Sequence, residues 1–173
     1  PGNDGVFATN CLLARRLVER GVRVVQVYFG TWQPWDTHGD NFKQLKDNLL
    51  PKYDRAVAAL VTDLYDRGLQ NDVLVMAMGE FGRTPRINGG AGRDHWPGAM
   101  SVLYAGGGLR MGQAIGTTND KAEYPTTKPY SPGCVLSTMY HVLGINHRHV
   151  FYDAVNRPLP ILNEGKPIEE LTS

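Results

Sequence analysis

The chain has 173 residues, of which 42% are hydrophobic and 20% charged, which is an ordinary balance for a globular protein with a substantial core. Its net charge of +1 lacks the basic excess of proteins that bind nucleic acid, so we expect no nucleic-acid partner. No apolar run is long enough to span a membrane. The chain starts with Pro1 rather than Met, and we expect it to be part of a longer protein.

The first half of the chain predicts a helix, a strand and a longer helix. Residues 8–20 place leucines on one face and are followed by Gly21, a pattern typical of a helix that ends there. Residues 22–29 are rich in β-branched and aromatic side chains and predict a strand, with a loop over residues 30–41. Residues 42–67 have apolar side chains at three- and four-residue steps, which predict a helix that Pro51 kinks or splits.

The second half alternates strands and loops before another helix. We predict strands at residues 72–78 and 99–104, separated by a long loop over residues 79–98. Long loops inside domains are often functional. Residues 106–108, all glycine, predict a turn, and residues 111–116 a hairpin.

The C-terminal part predicts a helix and extended segments. Ser131 and Pro132 are typical of a helix start, and this helix should end before Gly144. Residues 157–162 and 166–168 predict extended edge segments. Strands that alternate with helices predict a single α/β domain over residues 1–173, with a partly parallel sheet flanked by helices.

The two cysteines predict free thiols. Cys11 and Cys134 lie far apart, each beside apolar residues in a helical pattern, which favours two buried thiols over a disulfide. They do not fix the redox compartment.

A polar loop after the first predicted strand carries a candidate metal site. Asp36, His38 and Asp40 alternate along it and offer carboxylate and imidazole ligands, which suit zinc or another divalent metal. The structural alternative is that Asp36 and Asp40 cap turns or the following helix.

Further candidate ligands lie in the loop over residues 79–98. Glu80 follows the second predicted strand, and Asp94 and His95 precede the third. Because ligands bind beyond the carboxyl ends of strands in open α/β sheets, these groups can converge with Asp36 and His38 in one crevice. The alternative is a solvated loop with local ion pairs, for example between Glu80 and Arg83.

Arginines accompany these candidate ligands. Arg83, Arg86 and Arg93 could form a cationic rim that fits a tetrahedral oxyanion, although each could also be an ordinary surface arginine. Three histidines near the C-terminal helix have neither helical spacing nor a carboxylate pair, and we interpret them as structural: His141, His147 and His149.

The ordered segments WDTHGDN, GEFGRTPR and RDHWPGAMSVLYAGGG resemble the C-terminal half of the alkaline phosphatase/sulfatase superfamily. The likeness is greatest to its uncharacterised sulfatase-like branch, a domain of unknown function, and covers nearly the whole chain. The resemblance implies an alkaline phosphatase-like fold that is incomplete in this chain. It also implies a metal pair at the carboxyl edge of a parallel sheet.

The resemblance assigns roles to individual residues. His38 matches the first metal-binding histidine, Asp36 its acidic companion, Glu80 the acidic position of the next motif, and His95 the late histidine. Phe81 stands where the superfamily has a His or Asn for its second metal, which argues against a complete two-metal site unless Asp94 substitutes. The family's nucleophile lies upstream of these motifs. Thr37 and Thr84 are near the predicted cluster but match no nucleophile motif.

The resemblance therefore implies a metal-dependent hydrolase of phosphate or sulfate esters, here a fragment without its nucleophile. Metal ligands would be Asp36, His38, Glu80 and His95, with Asp94 as a further ligand or as the group that orients His95. Arg83, Arg86 and Arg93 would offset oxyanion charge. Zinc is the expected metal, with calcium, magnesium and manganese as alternatives.

Two other functions remain open from the sequence. One is a non-catalytic metal- or carbohydrate-binding module of a larger protein, and the other is a structural fragment whose exposed sheet edge expects its N-terminal half. The expected partners are that half and a small-molecule or glycan phosphate or sulfate ester. The superfamily resemblance suggests a periplasmic or exported protein, although no residue in the chain fixes the compartment.

Overall fold

A computed structural model describes residues 4–30 and 34–173, and shows a mixed α/β arrangement of helices and short antiparallel strand pairs. In chain order, the elements are α1 (Asp4–Glu19), α2 (Asn41–Gln44), a π-helical turn (Leu45–Leu49), α3 (Leu50–Asp66), β1 (Leu74–Ala77), β2 (Gly82–Arg83), β3 (His95–Trp96), β4 (Leu103–Gly106), β5 (Thr117–Thr118), β6 (Pro125–Thr127), α4 (Pro132–Val142), β7 (Val150–Tyr152), β8 (Pro158–Pro160) and α5 (Glu169–Thr172). Among the described residues, no helix has the length and apolar character needed to cross a membrane.

The predicted helices are confirmed. Gly21 follows α1 with a φ of 90°, a left-handed conformation that glycine adopts without strain. The predicted long helix is not split, because helical residues run continuously from Asn41 to Asp66, but its winding changes ahead of Pro51, which lacks the N–H for an α-helical hydrogen bond. A π-helical turn (Leu45–Leu49) accommodates this proline immediately before α3.

Two buried zones hold these elements together. In the first, α1 packs against α3, burying Cys11 and Leu64, and Arg15 Nε donates to Asp63 Oδ2 at 2.7 Å across the pair. In the second, α4 buries Val135 and Thr138 near the C-terminal segment, where the Thr138 hydroxyl accepts from the Ile168 N–H at 2.9 Å. Both cysteines are free thiols as predicted, although Cys134 is only partly buried.

All strand pairs in the described ranges are antiparallel: β1 with β4, β2 with β3, β5 with β6, and β7 with β8. The partly parallel sheet predicted from the sequence is therefore not found among them. A parallel pair needs a crossover element between its strands, usually a helix. The segment between β1 and β4 contains only loops and the short β2–β3 pair, so the chain returns antiparallel.

Several predicted strands are shifted or unpaired. Residues 22–29 form no strand, because they have no ladder partner among the described residues. Their side chains still alternate as in a strand, with Val25 and Val27 half-buried and Val24 and Tyr28 exposed. The strand predicted at residues 99–104 lies at β4 instead. The hairpin predicted at residues 111–116 lies further along, at β5 and β6.

Candidate metal centre

The loop before α2 presents Asp36 and His38 on the same side. The described part of the predicted loop over residues 30–41 begins again at Pro34, since residues 31–33 lie outside the described chain. Thr37, between the two candidate ligands, is 3% exposed and its hydroxyl donates to Asn41 Oδ1 at the start of α2. The backbone bends tightly here, since the Thr37 N–H donates to the Trp35 carbonyl at 3.0 Å and the His38 N–H donates to the Asp36 carbonyl at 3.1 Å. Asp36 and His38 remain partly exposed on either side of the buried Thr37.

A second loop is joined to the first by backbone hydrogen bonds. The Arg93 N–H donates to the Thr37 carbonyl at 3.1 Å, and the Asn41 N–H donates to the Ala91 carbonyl at 3.0 Å. The backbones touch at Gly92, where an added Cβ would lie 1.9 Å from the His38 carbonyl oxygen. This junction brings His95, which follows in β3, to the outward face of the first loop.

Three candidate ligands converge across these loops. Within the described residues, the donor atoms of Asp36, His38 and His95 form one group with all separations below 4.8 Å. Asp36 Oδ1 lies 3.0 Å from His38 Nε2 and 2.9 Å from His95 Nε2, and the two imidazole nitrogens are 3.3 Å apart. The triangle is accessible from solvent, because both histidine side chains are about half exposed.

This triangle fits a tetrahedral metal ion. Ligands at about 2.0–2.1 Å from a zinc ion stand about 3.3 Å apart along each edge of a tetrahedron. The three observed edges match that spacing to within a few tenths of an ångström. Two imidazoles and a carboxylate are also a donor set that zinc accepts, and they leave a fourth position open.

Asp36 is held in its charged form. Hydrogen bonding with His95, and then with Arg83, lowers the pKa of Asp36 to about 2. The Arg83 guanidinium donates to Asp36 Oδ1 at 2.6 Å. The carboxylate is thus ionised across the physiological range and available as a ligand.

Asp94 lies beside this group and orients a different histidine from the one expected. The His38 Nδ1–H donates to Asp94 Oδ1 at 2.7 Å, whereas the resemblance implied that Asp94 would orient His95. The hydrogen bond to Asp94 raises the pKa of His38, and the bonds from His38 and Asn88 lower the pKa of Asp94. Asp94 therefore binds the ring nitrogen of His38 that points away from the donor triangle, and it is not itself one of the three donors.

Glu80 and Phe81 occupy different positions relative to the triangle. Glu80 is exposed after β1 and does not belong to the Asp36–His38–His95 group, so its role as a ligand stays a prediction. The Phe81 ring packs against the His95 imidazole with centroids 4.4 Å apart. Phe81 thus limits the orientations of a candidate ligand.

The three arginines differ in what they contact. Arg83 pairs with Asp36 rather than with Glu80, the partner considered from the sequence. Arg93 donates to the Thr84 carbonyl at 2.6 Å and lies over the Phe42 ring. Arg86 is exposed and lines a cavity of about 330 Å³ together with Asn88 and Asp94. Of the three, only Arg83 has an ion-pair partner among the described residues; the Arg93 guanidinium is bound to backbone carbonyls, whereas that of Arg86 faces the cavity.

The other candidate residues lie elsewhere. The hydroxyl of Thr84 donates to the Arg86 carbonyl at 2.8 Å and accepts from the Asp94 N–H at 3.0 Å. The His149 ring packs edge-on against Phe151, while His141 is exposed on α4, and neither belongs to the donor triangle. Asp40 precedes α2 in a left-handed conformation and makes no side-chain cap.

Sequence reasoning did not identify Asn88. Its Nδ2 donates both to the His38 carbonyl and to Asp94 Oδ1, each at 3.0 Å. An Asn followed by two glycines is a recognisable turn signal, but it contains no information about a contact fifty residues away.

Comparison with protein families gives one match. A family model described as "Protein of unknown function (DUF1501)" matches residues 1–172. The curated proteins and the solved structures that were compared contain no match. Because the family model spans nearly the whole chain, this protein belongs to the DUF1501 family of proteins of unknown function.

Proposed function

We propose that Asp36, His38 and His95 bind one divalent cation, zinc, and that the site serves the hydrolysis of phosphate or sulfate esters. The observation that carries the proposal is the donor triangle, with edges of 2.9, 3.0 and 3.3 Å. Supporting it, the segments that supply these ligands are those that resemble the alkaline phosphatase/sulfatase superfamily. An alkaline phosphatase-like fold is part of the same proposal.

The protonation states of the three side chains leave donor atoms that a cation could bind. Asp94 accepts the Nδ1 proton of His38, so a neutral His38 has its lone pair on Nε2. That lone pair lies 3.0 Å from the ionised Asp36 oxygen and 3.3 Å from His95 Nε2. In the metal-free chain, the His95 Nε2–H donates to Asp36 Oδ1 at 2.9 Å. A metal ion would replace that proton and bind all three donor atoms.

The chain's own residues would position the ester. A bound divalent cation polarises an ester oxygen and lowers the pKa of a water or hydroxyl nucleophile. Arg86, which lines the 330 Å³ cavity together with Asp94, would hold the anionic group through its guanidinium. Arg83 would keep Asp36 ionised, and Arg93 would keep the loop in place. Of the three arginines that were expected to offset oxyanion charge, this proposal therefore keeps only Arg86 as an anion-binding residue.

A non-catalytic metal-binding module is the second candidate. Its support is that both threonine hydroxyls near the triangle are already hydrogen bonded, Thr37 to Asn41 and Thr84 to the Arg86 carbonyl. Both acceptors are amide oxygens, so neither hydroxyl donates to a base that could activate it for attack on an ester. The site among the described residues would then bind metal, or a metal-bridged glycan, without turnover.

Metal binding and turnover can be tested separately. We expect one Zn²⁺ per chain by elemental analysis, with loss of binding in His95→Ala and retention in His141→Ala, a control that removes an exposed histidine outside the group. The complete natural chain that contains these residues, loaded with Zn²⁺, should hydrolyse an aryl phosphate or an aryl sulfate. Metal binding without hydrolysis would favour the binding module, and no difference between the two histidine variants would refute the site.

A further inference from the structure

Asn88 uses the full hydrogen-bonding capacity of its side chain between the two loops. Its Oδ1 accepts from the Gly90 N–H and the Gly92 N–H, both at 2.9 Å. Its Nδ2 donates to the His38 carbonyl and to Asp94 Oδ1, both at 3.0 Å. Because backbone N–H groups can only donate, this arrangement fixes which end of the amide faces which loop. The oxygen organises its own turn, and the nitrogen reaches the candidate metal centre.

Asp94 transmits this arrangement to His38. Its Oδ1 accepts from Asn88 Nδ2 and from His38 Nδ1, the latter at 2.7 Å. The Asp94 backbone is itself fixed by Thr84, whose N–H donates to the Asp94 carbonyl at 2.8 Å. A carboxylate can accept hydrogen bonds but cannot donate one. Because Asp94 Oδ1 lies 2.7 Å from Nδ1 in a hydrogen bond, closer than Asp36 Oδ1 lies to Nε2 at 3.0 Å, a neutral His38 carries its proton on Nδ1.

We infer that Asn88 is a positioning residue that, through Asp94, keeps His38 in the Nδ1–H tautomer and aims its Nε2 lone pair at the donor triangle. This inference rests on the proposed function for its metal role, but the tautomer is a property of the metal-free chain. Outer groups that fix the tautomer of a histidine ligand raise metal affinity by about 10–100-fold. Asn88 acts twice here, because it also holds the backbone carbonyl of the same histidine.

Replacement of Asn88 by aspartate separates its two functions. In Asn88→Asp, one carboxylate oxygen can still accept from Gly90 and Gly92, so the turn is kept. The other carboxylate oxygen takes the place of the amide nitrogen and faces Asp94 Oδ1. In the wild type, 3.0 Å separates Asn88 Nδ2 from Asp94 Oδ1. Two carboxylates at that distance repel each other, which displaces Asp94 from His38. Asn48→Asp, on an exposed part of the π-helical turn, makes the same charge change away from the site.

The test is the histidine tautomer, read from long-range ¹H–¹⁵N NMR spectra of the metal-free chain at a pH where imidazole is neutral. We expect His38 to be protonated on Nδ1 in the wild type and in Asn48→Asp, and to lose that preference in Asn88→Asp. Zn²⁺ affinity, measured by competition with a chromophoric chelator, should fall about 10–100-fold in Asn88→Asp alone. If Asn88→Asp does not fold, Asn88→Ala removes the amide nitrogen without adding a charge and should lose the same tautomer preference.

Each outcome has a definite reading. A wild-type His38 protonated on Nε2 would overturn the inference, as would a wild-type tautomer and affinity in Asn88→Asp. If the wild type binds no Zn²⁺ but its tautomer depends on Asn88, the proposed function fails while the assignment of Asn88 stands for the metal-free chain.

Discussion

The contact between the two loops at Gly92 can be tested by adding a single methyl group. In Gly92→Ala the new Cβ would lie 1.9 Å from the His38 carbonyl oxygen and 2.1 Å from its carbonyl carbon. Non-bonded heavy atoms rest at about 3.5 Å, so the loops must separate by about 1.5 Å. Both clashing atoms belong to backbone, so no side-chain rotation relieves them. Gly89→Ala is the matched control, because a Cβ there meets no atom within 4 Å.

The expected effects are on metal affinity and on stability. A displacement of about 1.5 Å exceeds the about 0.5 Å within which a metal site keeps its geometry. We therefore expect Gly92→Ala to lower Zn²⁺ affinity at least as much as loss of an outer hydrogen bond does, about 10–100-fold. Overpacking should also destabilise the fold by about 1–3 kcal/mol, while Gly89→Ala should change it by less than about 0.5 kcal/mol.

Two assays measure these effects on the same samples. Urea denaturation gives the free energy of unfolding, and chelator competition gives the Zn²⁺ affinity. A Gly92→Ala chain that matches Gly89→Ala in both measurements would show that the two loops do not meet as described, and the donor triangle would lose its basis.

Three other expectations concern pH and core packing. The hydrogen bond to Asp94 raises the pKa of His38 above 6.5. Zn²⁺ affinity should fall as the pH drops through this pKa, because a proton then competes with the metal for the imidazole. An affinity independent of pH would contradict this. The hydrogen bond that Glu170 accepts from Lys128 lowers the pKa of Glu170 from 4.5 to about 2. The stabilisation of the fold by this pair should therefore be present above pH 4.5 and lost as the pH falls towards 2. The melting temperature, measured as the pH is lowered, should show this loss in the wild type but not in Glu170→Gln. The same decrease in both proteins would contradict a stabilising Lys128–Glu170 pair. Leu49→Ala should lower the free energy of unfolding, measured by urea denaturation, by about 2–5 kcal/mol, and Leu50→Ala by less than about 0.5 kcal/mol. The reason is that Leu49 is 2% exposed and Leu50 is 46% exposed. Equal losses would contradict this packing.

The helices could be predicted from the sequence because their signals are local. Apolar spacing and the glycine after α1 mark that helix, and Ser131 with Pro132 marks the start of α4. Pro51 predicted an irregularity in the long helix because its effect is confined to the preceding turn. The sequence did not indicate which irregularity forms, since a π-helical turn and a kink satisfy the same constraint.

Strand pairing could not be predicted in the same way. A β-branched run such as residues 22–29 predicts an extended backbone, and its side chains do alternate, but nothing in it specifies a partner. The orientation of β4 against β1 depends on the route of the intervening loop. That route is set by contacts between residues far apart in the sequence.

In the candidate site, too, local features could be predicted from the sequence and long-range contacts could not. Asp36 and His38 are two residues apart, so the sequence could place them in one polar loop, but the burial of Thr37 between them could not be predicted from it. The approach of His95 depends on the non-local hydrogen bond from Arg93 to the Thr37 carbonyl. The role of Asn88 depends on a turn that reaches across to His38. Residue types therefore indicated candidate metal ligands, whereas which of them come together, and what holds them, required the three-dimensional arrangement.

The most direct test of the metal centre is zinc-edge X-ray absorption of the chain loaded with one equivalent of Zn²⁺, compared with the same spectrum of His95→Ala. We expect two imidazole nitrogens and at least one oxygen at about 2.0–2.1 Å in the wild type, and one imidazole fewer in the variant. Zinc that is not retained, or an imidazole count that His95→Ala leaves unchanged, would contradict a metal site built from Asp36, His38 and His95.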